Sequence, residues 1–175
     1  MEMLRLLESS QLEFVFGPVD VAAKKHNNWN AVQFLVEPLV FLDAGKAAAP
    51  GSPVYLDDIA KDVFVMVPDS CGLTKVVRAL FKRNRLILSE YAGAAMSYRV
   101  LQEWSDLGIG SAILPRSKTK AGTGTEIISR RGKDDRVMIA YEACWYKNKD
   151  ATRAVQDLGT FIKTSASSLA SGLQV

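Results

Sequence analysis

The sequence predicts an α/β fold, because strand-like and helix-like segments alternate along its middle third. Its 175 residues are 48% hydrophobic and 23% charged, as in a soluble globular protein with one domain or two small lobes. The apolar run from Val63 to Val67 is closed by Pro68, which is typical of a strand buried on both faces of a parallel sheet. The helical pattern that follows indicates a βαβ arrangement with right-handed crossovers.

The counts of histidine and cysteine argue against catalysis. His26 is the single histidine, so a Ser-His-Asp triad or a zinc site would need an unusual variant. Cys71 and Cys144 are too few for a disulfide framework and lack CxxC spacing, which fits a reducing cytoplasm. We therefore expect no enzyme activity, no metal site and no cofactor, and His26 is expected to be an exposed loop residue.

Charge and hydropathy exclude two further classes of partner. The net charge of +3 is spread over the chain among acidic residues, so no dedicated nucleic-acid surface is predicted. The longest apolar stretch, Phe34 to Leu42, is interrupted by Glu37 and Pro38, so no membrane span is predicted. The first residues show no secretory leader, which also favours a cytoplasmic location.

The first third of the chain predicts short elements separated by turn residues. Apolar spacing indicates the end of a short helix in residues 3–11, and the strand of residues 12–16 is expected to stop at Gly17-Pro18. Residues 31–42 form an extended segment in which Pro38 indicates an edge or a bend. A loop over residues 45–53 and a one-turn helix over residues 56–60 complete this part.

In the middle third, Asp69 or Ser70 is predicted to cap a helix, since both residue types are favoured there. Residues 86–88 and 111–114 are predicted strands, the second ending at Pro115. A second helix between them is expected to end at Gly108. The apolar positions of the two helices are Leu73, Val76, Val77, Leu80 and Phe81 in the first, and Val100, Leu101, Trp104 and Leu107 in the second.

The last third predicts a hairpin and a helix. A basic, Gly- and Thr-rich loop over residues 116–125 leads to strands at residues 125–129 and 136–145, joined by a charged turn. A helix from Ala151, with Asp150 as N-cap, should fray over residues 165–175. Its expected apolar face is Val155, Leu158, Ile162 and Leu169.

Five segments in this order resemble the effector-binding domain of LysR-type transcriptional regulators. Residues 107–115, LGIGSAILP, resemble the helix-to-strand junction "aGxGiaxLP" of that family. The other matching segments are residues 6–16 (with Glu13 where the family usually has Asp), 52–59, 63–68 with 72–81, and 153–162. The resemblance covers most of the chain and is strongest between residues 50 and 162.

The resemblance implies a periplasmic-binding-protein-like type II fold, with two Rossmann-like lobes and mixed sheets. Residues 1–175 would form one effector-binding domain, with lobe I from residues 1–50 plus 126–175 and lobe II from residues 51–125. The family's N-terminal winged helix-turn-helix has no counterpart in this sequence, and neither do the first strand and helix of the first lobe. The expectation is a truncated fragment, a shortened reading frame or a divergent form with an incomplete first lobe.

Candidate ligand-binding residues lie in three segments that are predicted to follow strands, where ligands bind in open α/β sheets. The helix N-terminus in the second segment suits a carboxylate or phosphate, and Arg99 in the third has the fork geometry that binds a carboxylate. The segments contribute Gly17 and Pro18; Pro68, Asp69, Ser70, Cys71 and Gly72; and Gly93, Ser97, Tyr98 and Arg99.

The leading functional hypothesis is a sensing domain that binds a small anionic effector between two lobes and controls a DNA-binding domain absent from this chain. The resemblance implies a homodimer or higher homo-oligomer, and Trp104 is a candidate for either the interface or the core. Two alternatives remain open. One is an enzyme with Cys71 as nucleophile, and the other is a ligand-free dimerisation or interaction domain.

Overall fold

The computed structural model describes residues 2–20, 29–45, 53–129, 135–147 and 152–172. His26, most of the 45–53 loop, most of the charged turn before residue 136 and the predicted cap Asp150 lie outside the described residues. The chain divides into two compact units, unit 1 from Met1–Val36 and Ala140–Val175, and unit 2 from Glu37–Ile139. Residues 37–45, 126–129 and 135–139, which the sequence prediction assigned to lobe I, lie in unit 2, and the lobe boundaries stay a prediction.

The helices are α1 (Glu2–Glu8), α2 (Leu56–Ile59), α3 (Gly72–Arg83), α4 (Tyr98–Asp106) and α5 (Arg153–Gly172), with a 3-10 helix at Arg116–Lys118. The strands are β1 (Phe14–Asp20), β2 (Trp29–Leu42), β3 (Val54–Tyr55), β4 (Val63–Met66), β5 (Ser89–Ala94), β6 (Ala112–Pro115), β7 (Thr125–Ile128) and β8 (Met138–Tyr146). Most of the predicted elements are present, and the alternation of β4, α3, β5, α4 and β6 is confirmed.

In unit 1 the strand order is β1-β8-β2, and apolar residues on both faces of these strands are buried. One cluster joins Leu7 of α1 to Val15, Trp29 and Cys144. A second joins Trp145 to Val155 and Ile162 of α5, two of the residues predicted for the apolar face of that helix. Adjacent strand residues point to opposite faces, which explains why Cys144 and Trp145 belong to different clusters.

Two predictions in unit 1 are wrong. Gly17-Pro18 does not stop the first strand, because β1 continues through both residues to Asp20. β1 is the terminal strand of its sheet, and an edge strand tolerates a proline that cannot donate a hydrogen bond. The apolar face predicted for α5 is wrong at Leu158, which is 42% exposed. The helix continues to Gly172, and fraying of its last residues stays a prediction. The side chain of Thr152 accepts a hydrogen bond from the Val155 N–H at the start of α5.

In unit 2, β4 pairs in parallel with β5 on one side. On the other side, β4 is hydrogen-bonded to Ser111, the residue just before β6. The Val65 N–H donates to the Ser111 carbonyl and the Ser111 N–H donates to the Val63 carbonyl, at 2.9 Å each. Strand β2 is antiparallel to both β6 and β7, while β3 is parallel to β7, so the predicted mixture of parallel and antiparallel pairing is confirmed.

The core of unit 2 follows the helical pattern of α3. All five predicted apolar residues of that helix are at most 5% exposed. Phe64 lies in edge-to-face contact with Phe41 on one side and Phe81 on the other, with ring centroids 6.3 and 5.3 Å apart. Aromatic pairs favour this arrangement because the positive ring edge meets the negative face.

Two local predictions in unit 2 are wrong. Strand β5 begins at Ser89, whereas residues 86–88, which were predicted to be a strand, form none. After α3, Arg85 has a φ of 60° and the Leu86 N–H donates to the Phe81 carbonyl, so the turn occupies the residues predicted to be extended. In α4, Leu107 is 75% exposed, and the buried positions beside Leu101 are the polar Gln102 and Ser105.

The end of α4 is fixed by two glycines. Gly108 has a φ of 76° and ends the helix as predicted, and Gly45 after β2 has a φ of 68°. A Cβ atom on Gly45 would lie 3.5 Å from the Cα of Gly108. The Gly45 N–H donates to the Ser105 carbonyl at 2.8 Å, and the Ser105 hydroxyl donates to the Leu42 carbonyl at 3.3 Å. The end of β2 is therefore attached to the last turn of α4.

Candidate functional site

The candidate site lies at one edge of unit 2, where β4 and β5 end. Because these strands are parallel, their carboxyl ends meet at the same edge of the sheet, and both α3 and α4 begin there. The Ala95 N–H donates to the Met66 carbonyl at 2.8 Å, which joins the two strand ends. We call residues 68–72 and 93–99 the carboxyl edge.

Cys71 and Tyr98 connect the two segments of the carboxyl edge. The Sγ atom of Cys71 lies 3.3 Å from the hydroxyl oxygen of Tyr98, and both residues are half-buried. Cys71 is the residue before α3, and Tyr98 is the first residue of α4. The structure therefore brings together two of the three predicted ligand-binding segments. Gly17 and Pro18 lie within β1 of unit 1, and their part in a site stays a prediction.

The predicted cap of α3 is wrong. Cys71, rather than Asp69 or Ser70, occupies the N-cap position, and its side chain makes no capping hydrogen bond. The first turn is held instead by Thr74, which is fully buried and whose hydroxyl donates to the Val67 carbonyl at 2.7 Å. Asp69 and Ser70 lie in the exposed turn between Pro68 and the helix.

Arg78 explains why Asp69 does not cap the helix. The Nη1 atom of Arg78 donates to Asp69 Oδ1, while its Nε and Nη2 atoms donate to the two oxygens of Glu90, each at 2.7 Å. These contacts raise the pKa of Arg78 and lower the pKa of Glu90, mainly through the hydrogen bonds between their side chains. No local sequence signal indicated Arg78, because its partners lie nine residues before it and twelve after it.

The side chains of residues 93–99 have mostly structural partners. The Ser97 hydroxyl caps α4 by accepting the Val100 N–H at 3.2 Å. Arg99 is exposed, and its Nε donates to Glu103 four residues later at 3.0 Å. Its guanidinium therefore contacts a carboxylate of its own helix.

Gly93 was expected to follow the predicted strand of residues 86–88, and the structure instead places it inside β5. A Cβ atom on it would come within 3.0 Å of the Tyr91 ring and 3.5 Å of Trp104. Tyr91 and Trp104 are in edge-to-face contact with ring centroids 6.0 Å apart. Gly93 thus makes room for this aromatic pair, and Trp104 is half-buried against it.

The carboxyl edge offers several hydrogen-bond donors. Two helix N-termini, one thiol and one phenol hydroxyl lie there, and amide groups at helix N-termini favour anionic partners. Within the part of the chain that the structure describes, no group of three His, Cys, Asp or Glu side chains is arranged to hold a metal ion. None of the described helices has the length and apolar character needed to cross a membrane.

Solved structures show the same fold. The regulatory domain of Synechocystis PCC6803 CcmR in complex with 2-PG matches with a TM-score of 0.70 and 14% identity, covering 94% of this chain and 78% of that one. The QuiR effector-binding domain in complex with shikimate matches with a TM-score of 0.68 and 14% identity, over 95% and 78% of the two chains. Full-length CbnR complexed with its target DNA matches with a TM-score of 0.65 and 15% identity, over 94% and 56%.

At these identities the structural matches establish the fold alone, which is the predicted periplasmic-binding-protein-like type II architecture. No curated protein sequence matches the chain significantly. The family model of the LysR substrate binding domain, in contrast, matches residues 1–167, which is nearly the whole sequence. The resemblance found in the five sequence segments is thereby confirmed, and the chain belongs to the LysR substrate binding domain family.

Proposed function

We propose that this chain is an effector-sensing domain that binds a small anionic molecule at the carboxyl edge of unit 2. The contact between Cys71 and Tyr98 carries the proposal, because it places the N-termini of α3 and α4 side by side at the end of a parallel sheet. Membership of a substrate binding domain family supports binding as the function of this edge. The related CcmR and QuiR domains were solved with 2-PG and shikimate.

The physical basis of binding is the arrangement of donors. Backbone N–H groups in the first turn of a helix have no partner within the helix, and the helix dipole adds partial positive charge there. The Tyr98 hydroxyl and the Cys71 thiol flank these groups and are able to donate to an acceptor oxygen. A ligand with a carboxylate or phosphate matches this set of donors.

Sensing requires that the effector bind one conformation better than another, because only differential affinity shifts a conformational equilibrium. We infer that this shift passes to a DNA-binding domain outside these 175 residues, within a homodimer or higher homo-oligomer. Full-length CbnR, a structural relative, was solved with its target DNA, which supports this role for the family fold. A cytoplasmic location is part of the same proposal.

A thermal-shift screen tests the proposal directly. The panel contains 2-PG, shikimate and other small carboxylates and phosphates, with uncharged analogues of similar size as controls. A ligand at about 100 times its Kd stabilises the folded state by about 2.7 kcal/mol, which raises Tm by several degrees in a chain of this size. Binding of an acid and not of its uncharged analogue supports the proposal. The absence of any shift across the panel contradicts it.

Two variants locate the ligand once an acid is found. Tyr98→Phe removes the hydroxyl at the carboxyl edge and keeps the ring, so we expect the Kd to rise by about five- to tenfold. The matched control is Tyr146→Phe, which removes a hydroxyl from an exposed tyrosine in unit 1 and should leave the Kd unchanged. Equal effects of the two substitutions would place the ligand elsewhere.

A catalytic role for Cys71 is the alternative. The same ligand assay separates the two hypotheses, since Cys71→Ser keeps a hydrogen-bond donor of similar size and removes the thiol nucleophile. A sensing domain retains ligand binding in this variant and consumes no ligand. Turnover of a panel compound by the unmodified chain, lost in Cys71→Ser, would establish the enzyme.

A further inference from the structure

Arg78 lies in the middle of α3 and forms ion pairs with two carboxylates. One of them, Asp69, is 77% exposed and lies two residues before the N-cap residue Cys71. The other, Glu90, is held by two parallel hydrogen bonds from the same guanidinium. The cluster of Asp69, Arg78 and Glu90 therefore has a formal charge of −1, which would be −2 without the arginine.

An unpaired carboxylate at Asp69 would oppose the proposed function. A helix N-terminus attracts anions through its amide groups, and a negative charge within a few ångströms repels them. In the structure, the Arg78 Nη1 donates a hydrogen bond to Asp69 Oδ1 at 2.7 Å. The guanidinium is planar and cannot lose its proton, so it keeps this carboxylate paired at every working pH.

We propose that Arg78 is a specificity-determining residue, which by pairing with Asp69 allows the N-terminus of α3 to accept an anionic ligand. The inference rests on the proposed function, since it assigns the charge class of the ligand at the same edge. Arg78 also controls the electrostatic potential around residues 68–72 when no effector is bound.

Cys71 provides a probe of that potential, because it lies inside the segment concerned. Iodoacetate and iodoacetamide alkylate the same thiolate by displacing iodide, and they differ in that the first carries a negative charge. The ratio of their rate constants at Cys71 therefore reports local charge and is independent of how much thiolate is present. Mass spectrometry of the Cys71 peptide distinguishes this reaction from that of Cys144, which is buried.

Four variants of the full chain test the proposal at low ionic strength. Arg78→Gln should lower the iodoacetate-to-iodoacetamide ratio about threefold, which is the size of effect expected for one uncompensated negative charge near the thiol in water. Adding Asp69→Asn to Arg78→Gln should restore most of the ratio, and Arg78→Lys should keep it near the original value. The matched control is Lys82→Gln, which removes a cation of the same helix that lies about 16 Å along the axis from Cys71 and should leave the ratio unchanged.

The outcomes separate electrostatic control from a purely structural role. If Arg78 only holds the loop in shape, its removal changes both rate constants in parallel and the ratio stays constant, which overturns the proposal. A low ratio that Asp69→Asn fails to restore also overturns it. Since no effector is used, failure of the ligand screen would leave this result intact, so failure of the proposed function and failure of the role of Arg78 are distinguishable.

Discussion

Glu37 and Ser117 are joined by two hydrogen bonds, in which the Ser117 N–H donates to Oε2 at 2.7 Å and the Ser117 hydroxyl donates to Oε1 at 2.9 Å. Glu37 is 7% exposed, so a buried carboxylate of β2 holds the start of the 3-10 helix after β6. Buried carboxylates need such donors, because an unpaired charge in the interior is costly.

The first prediction concerns this pair. Glu37→Ala should lower the free energy of unfolding by about 2 kcal/mol, because hydrogen bonds to a charged group contribute more than neutral ones. Ser117→Ala removes one of the two bonds and should cost about 1 kcal/mol. Urea denaturation measures both. The control is Glu103→Ala, which breaks an exposed i,i+4 pair and should cost about 0.3 kcal/mol. Equal losses at residues 37 and 103 would contradict the expectation.

The second prediction compares two glycines of one loop. Both Gly122 and Gly124 have positive φ, at 74° and 82°, which costs an alanine about 1 kcal/mol. A Cβ atom on Gly124 would also approach Val40 Cγ2 to 2.8 Å, whereas a Cβ atom on Gly122 would meet nothing within 4 Å. Gly124→Ala should therefore lower the free energy of unfolding by about 2 to 3 kcal/mol and Gly122→Ala by about 1. The prediction fails if denaturation shows the two variants to be equally stable.

The third prediction follows from the lowered pKa of Glu90. Arg78 stabilises the Glu90 carboxylate in the folded chain, so the folded pKa lies below the ordinary value of 4.5. The associated stability is fully present above pH 4.5 and is lost as the pH falls through the folded value. Glu90→Gln should remove this part of the acid dependence. Urea denaturation between pH 3 and 6 should show a shallower decline for the variant, and parallel curves would refute the assignment.

The fourth prediction concerns the two thiols. Burial raises the pKa of Cys144 to about 11, whereas Cys71 is half-buried at the carboxyl edge. At pH 8 about one in a thousand Cys144 thiols would be ionised, so iodoacetamide should modify Cys71 first. Mass spectrometry should show one adduct on the folded chain and two in urea. Because the folded pKa is raised above the ordinary value of 9, stability should also decline as the pH rises from 9 towards 11.

Elements with a strong apolar period were predictable from the sequence. The positions of Leu73, Val77 and Phe81 define one face of α3, and nothing in the surrounding structure competes with that pattern. Gly108 was equally predictable, since a positive φ at a helix end favours glycine over other residues. The five family-like segments also predicted the type of fold that the structure shows.

Two of the wrong predictions depend on structure that is distant in sequence, whereas the failure at residues 86–88 comes from the local turn at Arg85. Asp69 is a residue type that favours the cap position, but its carboxylate accepts a hydrogen bond from Arg78, nine residues later in α3, and Cys71 occupies the N-cap position. Gly17-Pro18 has the composition of a turn, yet β1 lies at a sheet edge where the missing N–H of Pro18 is tolerated. The candidate site was predictable in part. Its segments were recognised, whereas the contact of Cys71 with Tyr98 depends on the parallel pairing of β4 and β5.

The glycine contact at the end of α4 sets a limit on how this fold can change in length. Gly45 and Gly108 hold the end of β2 against the last turn of α4, and backbone hydrogen bonds join the same two places. One additional helical turn would extend α4 by about 5.4 Å and drive it through the chain that follows β2. Insertions are therefore best accommodated in the exposed turn at residues 121–122, while α4 acts as a spacer of fixed length between the carboxyl edge and the end of β2.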